Sequence, residues 1–223
     1  MIFLIILPFM LLGLLIQARL RSKFREFSQI APSSGMSGAE VAQRMLRDNG
    51  IYDVQVTSVA GQLTDHYNPL TKTVNLSEDV FSSRSVAAAA IAAHECGHAV
   101  QHAEAYTWLT LRSKMVPAVQ FASQWVQWIL FAGILMMRAF PQLLLIGIVL
   151  FALTTLFSFI TLPVEFDASR RAVAWINKSG VMSNVDHSKV KNLLGWAAST
   201  YVVAAISSLA TLLYYISIFN NRR

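Results

Sequence analysis

The sequence predicts a mainly helical (mainly α) membrane protein, in which four transmembrane helices carry a small cytoplasmic lobe of mixed α+β structure. Hydrophobic residues make up 55% of the 223 residues and charged residues only 13%, which is too apolar for an ordinary soluble domain. A helix needs about 20 predominantly apolar residues to cross a bilayer. Four stretches are long enough: 1–18, 116–137, 140–162 and 196–219.

The first stretch is expected to be a retained membrane anchor. A cleaved signal peptide would carry positive charge before its apolar run, and this stretch has none. It is followed at once by four basic residues, Arg19, Arg21, Lys23 and Arg25. Because positively charged segments next to membrane helices favour the cytoplasmic side, the segment after the anchor is predicted to be cytoplasmic.

The remaining charges predict the same orientation. Of the 18 Lys and Arg residues, fifteen lie in 19–114 or 170–191, and only Arg138, Arg222 and Arg223 fall on the other side. The net charge of +6 therefore reflects topology and contact with anionic lipid, and not nucleic-acid binding. The expected location is a plasma membrane, crossed several times.

These signals divide the chain into five parts. They are an anchor at 1–18, a cytoplasmic lobe at 19–115, a transmembrane hairpin at 116–162, a second cytoplasmic segment at 163–195, and a C-terminal helix with its tail at 196–223.

Local patterns predict the elements of the two cytoplasmic segments. Ser37 and Glu40 form a capping box before a short helix that ends near Asp48. Residues rich in β-branched side chains predict strands at 51–59 and 72–76. The other expected elements are a turn at 68–69, a helix from Ser85 to about 105, and helices on either side of a break at 179–180.

The helix that follows Ser85 carries the motif His94-Glu95-Cys96-Gly97-His98. Two histidines four residues apart lie on one helix face, so both rings can bind one metal ion, and Glu95 can act on a water held by that ion. Cys96 is the chain's single cysteine, which excludes an intrachain disulfide and suits a reducing compartment.

A catalytic zinc usually takes a third protein ligand. His102 lies on the same face, but it is roughly 12 Å along the helix from His94, too far for one tetrahedral ion. Some metalloproteases place a third histidine six residues after the motif, where this sequence has Glu104. Glu165 is the better candidate, because it follows a membrane helix on the predicted cytoplasmic side.

Two patterns support Glu165. Small residues share its helix face at 168, 169 and 172 and would let that helix pack closely on the Ala- and Gly-rich motif helix. A polar stripe that should face the bundle interior precedes it, formed by Thr154, Ser158 and Thr161. The alternative is that Glu165 is an interfacial acid that pairs with Arg170 or Arg171.

Three segments, 63–69, 93–102 and 163–172, resemble the YugP-type neutral zinc metallopeptidases of bacterial membranes. That family is distantly similar to the gluzincin proteases HtpX and the CAAX prenyl endopeptidases. The resemblance implies a zincin-like lobe with one Zn²⁺ per chain, held by His94, His98 and Glu165. The aspartate that orients a ligand histidine in those relatives is replaced here by Ser169, and Asp167 lies on a different helix face.

The implied reaction is peptide-bond hydrolysis at the cytoplasmic membrane face, with Glu95 as general base. An oxyanion donor is also needed. Because His66 and Tyr67 belong to the family-like motif, they are favoured over the other candidates, which are Tyr106, Arg170 and His187. The strand at 72–76 is expected to pair with the peptide substrate.

An intramembrane protease is disfavoured, because the apolar run before His94 is too short to span a bilayer. A catalytically silent membrane scaffold or metal-binding accessory protein stays open, although Glu95 would be unnecessary in it. The expected partners are the lipid bilayer and peptide or membrane-protein substrates. Because the sequence has no nucleotide-binding loop, any ATP-driven unfolding of a substrate would have to come from a further membrane-protein partner.

Overall fold

The computed structural model describes residues 2–221, with side chains described for 6–183 and 186–221. Met1, at the start of the predicted anchor, and Arg222 and Arg223, in the predicted tail, lie outside the described residues. The elements are α1 (Ile2–Ser28), α2 (Gly38–Asp48), β1 (Gln55–Val59), β2 (His66–Asn68), β3 (Thr73–Ser77), α3 (Glu78–Phe81), α4 (Val86–Ala103), α5 (Thr107–Leu135), α6 (Pro141–Ser179) and α7 (Asn184–Asn220).

The predicted mainly helical class is confirmed, and the described residues also contain one small three-stranded sheet. Within the described residues, three helices are long and apolar enough to cross a membrane: Thr107–Leu135, Pro141–Ser179 and Asp186–Asn220. The sequence predicts four such helices. The N-terminal one, at 1–18, falls within α1 and is not among the three, so a fourth span stays a prediction.

The described chain forms two compact units. The first contains 2–15, 110–163 and 200–221, and the second contains Ile16–Leu109 and Val164–Ser199. The boundaries fall inside α1, α5, α6 and α7. All the predicted metal ligands belong to the second unit.

In the first unit, α5 and α6 pack at very short range. A Cβ atom added to Gly133 would lie 2.6 Å from Cα of Leu144, so only glycine fits there. The hydroxyls of the predicted polar stripe donate to carbonyls of their own helix, at 2.8 Å from Thr154, 2.6 Å from Ser158 and 2.9 Å from Thr161. Ser158 also lies 3.2 Å from Oγ of Ser208 on α7, so the stripe faces a neighbouring helix at that point.

In the second unit, α4 forms the centre of the core. Its first half is almost entirely alanine, and these side chains are buried against α2, α3 and the sheet. Small side chains allow this close packing on several sides. The predicted caps are confirmed: Ser37 and Glu40 bond each other's backbone N–H at 3.3 and 2.7 Å, and Ser85 accepts from the Ala88 N–H at 3.1 Å.

The sheet has the strand order β1-β3-β2, with β1 parallel and β2 antiparallel to β3. Both predicted strands form, the first shortened to Gln55–Val59 and the second shifted to Thr73–Ser77. The strand His66–Asn68 was not predicted. Because β3 is hydrogen-bonded on both sides, the expectation that 72–76 pairs with a substrate is wrong. The edges of the sheet are β1 and β2.

Candidate metal centre

His94 and His98 on α4 meet Glu165 on α6. The Glu165 Oε2 atom lies 3.4 Å from Nε2 of His94 and 3.6 Å from Nε2 of His98. One donor atom from each residue lies within 4.8 Å of the other two. Ligand atoms bound at about 2.0–2.1 Å in a tetrahedron stand roughly 3.4 Å apart. The spacing therefore fits one zinc ion.

Burial makes this cluster a suitable place for a cation. Glu165 is 3% exposed, and His98 and the neighbouring Glu95 are each 8% exposed. A carboxylate removed from water needs a positive partner close by. Two histidines and a carboxylate together form the nitrogen and oxygen ligand set that is typical of catalytic zinc.

The close approach of α4 to α6 depends on Gly97. A Cβ atom there would lie 2.7 Å from the carbonyl oxygen of Ala168. Ala168 and Ala172 are completely buried at the same contact. The expected close packing of the two helices is therefore confirmed, and it is the reason that Glu165 reaches the histidines.

Each histidine is oriented through its second ring nitrogen. Nδ1 of His94 lies 3.1 Å from Oγ of Ser169, and Nδ1 of His98 lies 3.0 Å from Oε1 of Gln101. When Nδ1 carries the proton, the Nε2 lone pair of each ring faces Glu165 and is available to a metal.

Ser169 stands at the position where the resemblance implies an aspartate, and its hydroxyl contacts His94. Asp167 contacts neither histidine and instead accepts from the Gln101 amide at 2.9 Å. Sequence reasoning missed Gln101, although its position three residues after His98 places it on the same helix face.

The electrostatics favour a positive charge at the centre. Burial alone would lower the pKa of His98, but the negatively charged Glu165 carboxylate 3.6 Å away outweighs burial, and the pKa is raised. The carboxylate that favours a proton on His98 favours a metal cation in the same place.

The alternative partners of Glu165 are occupied elsewhere. Arg170 pairs with Asp167, and Arg171 pairs with Asp167 at 2.5 Å and with Glu104 at 2.7 Å. The Arg171 guanidinium also lies 5.9 Å from the centre of the Tyr106 ring. These contacts engage both arginines and leave the Glu165 carboxylate facing the histidines.

The two predicted oxyanion donors have different surroundings. The Tyr67 hydroxyl lies 2.8 Å from Nδ1 of His102 on α4, whereas Nδ1 of His66 lies 2.8 Å from the Thr64 carbonyl in its own loop. Burial raises the pKa of Tyr67, so its hydroxyl stays protonated and able to donate. His102 is exposed and does not join the three-residue cluster.

Comparisons with known proteins agree with this geometry. A family model described as "Putative neutral zinc metallopeptidase" matches residues 2–220. The chain belongs to this family. It is 46% identical over 207 residues to a Bacillus subtilis (strain 168) protein named "Putative membrane protease YugP", with 93% of this chain and 91% of that protein covered. No solved structure matches the chain.

The predicted resemblance to the YugP-type neutral zinc metallopeptidases is thus confirmed. The family implies zinc, and the described residues contain one cluster that fits it, formed by His94, His98 and Glu165.

Proposed function

We propose that this chain is a membrane-embedded zinc endopeptidase, which hydrolyses peptide bonds at the cytoplasmic face of a bacterial plasma membrane. The observation that carries the proposal is the convergence of His94, His98 and Glu165, with Glu95 beside them on α4, in a member of this family.

His94, His98 and Glu165 would hold one zinc ion per chain. When bound, zinc polarises the scissile carbonyl and makes water a better nucleophile at neutral pH. With three protein ligands, a fourth position on the ion would remain for water or substrate, as in other catalytic zinc sites.

Glu95 would be the general base. It is the residue after a ligand histidine, so it lies on the same turn of α4, and it is largely buried. Its carboxylate takes a proton from the attacking water and passes it to the leaving amine, as the reaction requires.

Tyr67 is the stronger candidate for the donor to the developing oxyanion. Successive side chains of a strand point to opposite faces. Because Tyr67 contacts α4 through His102, its neighbour His66 is directed away from that helix. His66 stays a candidate of lower rank. The edge strand β2 offers the peptide a backbone to pair with.

The membrane assignment rests on charge and hydropathy. Three described helices can span a bilayer, and the N-terminal anchor would add a fourth. Because fifteen of the 18 basic residues lie on one predicted side, that side is assigned to the cytoplasm. The substrates would be membrane-protein segments or peptides close to the membrane, since Glu165 follows an apolar stretch directly.

The test compares detergent-purified wild type with Glu95→Gln. Zinc is measured by elemental analysis, and cleavage is measured with dye-labelled casein and a membrane-protein fragment. The proposal expects about one zinc per chain in both proteins and cleavage only in the wild type. Zinc without cleavage above the Glu95→Gln background would favour the silent scaffold, and no zinc in the wild type would contradict the proposal.

A further inference from the structure

We propose that Gln101 is a positioning residue of the metal centre, which fixes the ring of His98 through hydrogen bonds that run to Asp167 and to the backbone of α6. This inference rests on the proposed zinc site and names a residue that acts through a ligand, without touching metal or substrate itself.

Gln101 is completely buried, and both polar atoms of its amide are hydrogen-bonded. Oε1 lies 3.0 Å from Nδ1 of His98. The Nε2 amide donates to the carbonyl oxygen of Val164 at 2.8 Å and to Oδ2 of Asp167 at 2.9 Å. A carboxamide has two N–H donors and one acceptor oxygen, so both donors are used and the oxygen is left for His98.

The partners determine which way the Gln101 amide faces. The Val164 carbonyl and the Asp167 carboxylate can only accept, so the amide nitrogen must face them. The amide oxygen must then face His98, which forces the imidazole to donate from Nδ1. The Nε2 lone pair is therefore directed at Glu165, where a metal would bind.

Asp167 provides the fixed end of this chain of contacts. It is 4% exposed and forms ion pairs with Arg170 and Arg171. These ion pairs hold the carboxylate in place. Arg171 also bonds Glu104, the residue that follows α4, so the network links the C-terminal end of α4 to α6.

This arrangement makes a specific demand on position 101. A side chain of the same size without polar atoms fills the space but leaves the His98 ring free to turn and to change tautomer. Loss of a partner that orients a ligand typically lowers metal affinity about 10–100-fold. A residue that only packs between the helices would leave metal affinity unchanged.

The test measures zinc affinity of the full-length protein in detergent, by competition with a fluorescent chelator. The variants are Gln101→Met, Gln101→Glu and the double variant Gln101→Glu with Asp167→Asn. Thermal unfolding of the zinc-free proteins is followed by tryptophan fluorescence, and the visible spectrum of the Co²⁺-loaded proteins reports the geometry around the metal.

Gln101→Met is expected to weaken zinc binding about 10–100-fold and to alter the Co²⁺ spectrum. Gln101→Glu removes the amide donors and sets a second carboxylate against Asp167, so it is expected to weaken binding as well. In the double variant, the new amide at position 167 can donate to the new carboxylate at position 101, whose other oxygen accepts from His98. Zinc affinity is then expected to recover above that of Gln101→Glu.

Two outcomes would overturn the inference. One is Gln101→Met with wild-type zinc affinity and an unchanged Co²⁺ spectrum. The other is a double variant no better than Gln101→Glu, which decides the matter even when Gln101→Met is too unstable to purify. Both are distinct from failure of the proposed function, in which the wild type itself binds no zinc and both ideas fall.

Discussion

The two histidines of the proposed metal centre share one helix, but they are held in different ways. His98 contacts Gln101, a buried amide with three hydrogen bonds that reach two elements. His94 contacts the single hydroxyl of Ser169. A hydroxyl rotates and can donate or accept, whereas the Gln101 amide has one orientation that satisfies its partners.

Because of this difference, we call His98 with Gln101 the rigid half of the centre and His94 with Ser169 the adjustable half. Catalytic zinc can expand from four to five ligands in the transition state. An arrangement in which His98 stays fixed while His94 can shift slightly suits such a change. Four substitutions test this contrast, from the largest expected effect to the smallest.

Glu165→Ala removes the carboxylate that lies close to both histidines. Zinc is expected to be lost on purification, because two histidines alone leave the ion without its anionic ligand. Elemental analysis of the purified protein checks this, and His102→Ala, which lies outside the cluster, is the matched control that keeps its zinc. Retention of zinc by Glu165→Ala and loss by His102→Ala would show that the ligand set is wrong.

Tyr67→Phe tests whether the Tyr67 hydroxyl, which lies beside α4, donates a hydrogen bond to the developing oxyanion. Removal of an oxyanion donor typically lowers kcat about 10²–10³-fold, and zinc content should not change. His66→Ala is the control on the same strand and is expected to have the smaller effect on kcat. The assignment fails when the two effects are reversed.

Gly97→Ala disturbs the helix contact on which both halves depend. The added Cβ would lie 2.7 Å from the Ala168 carbonyl, so α4 and α6 must move apart, at a cost of about 1–3 kcal/mol. The melting temperature in detergent and the zinc affinity should both fall. Gly195→Ala is the matched control, because a Cβ there meets nothing within 4 Å; a similar loss of stability in both variants would contradict this explanation.

Ser169→Ala tests the adjustable half alone. It removes one hydrogen bond worth about 1 kcal/mol, or roughly a fivefold change in zinc affinity. The loss should be smaller than that in Gln101→Met, as measured by the same chelator competition. An equal or larger loss would show that His94 is held as firmly as His98.

Local sequence patterns predict the parts of this protein that depend on neighbours in the chain. The spacing of His94 and His98 follows from the helical repeat, and the caps at Ser37 and Ser85 follow from side chains that bond the backbone a few residues away. The sequence predicts Glu165 from its place just after a membrane helix, and the small residues on its helix face predict a close contact.

The features that sequence analysis missed depend on distant contacts. The strand β2 has only three residues and is followed by Pro69, and pairing with β3 is what stabilises it. The partners of Gln101 lie 63 and 66 residues away, and Ser169 lies 75 residues from His94. No periodic pattern connects such positions, so their roles were visible only in the folded chain.

That separation along the chain has a consequence for how the protein is made. The motif helix α4 leaves the ribosome first, and the whole of α5 and much of α6 must follow before Glu165 exists. Until then the emerging polypeptide holds only two of its three ligands. A peptidase with the proposed ligand set would therefore gain activity only after most of its long apolar helices have been made.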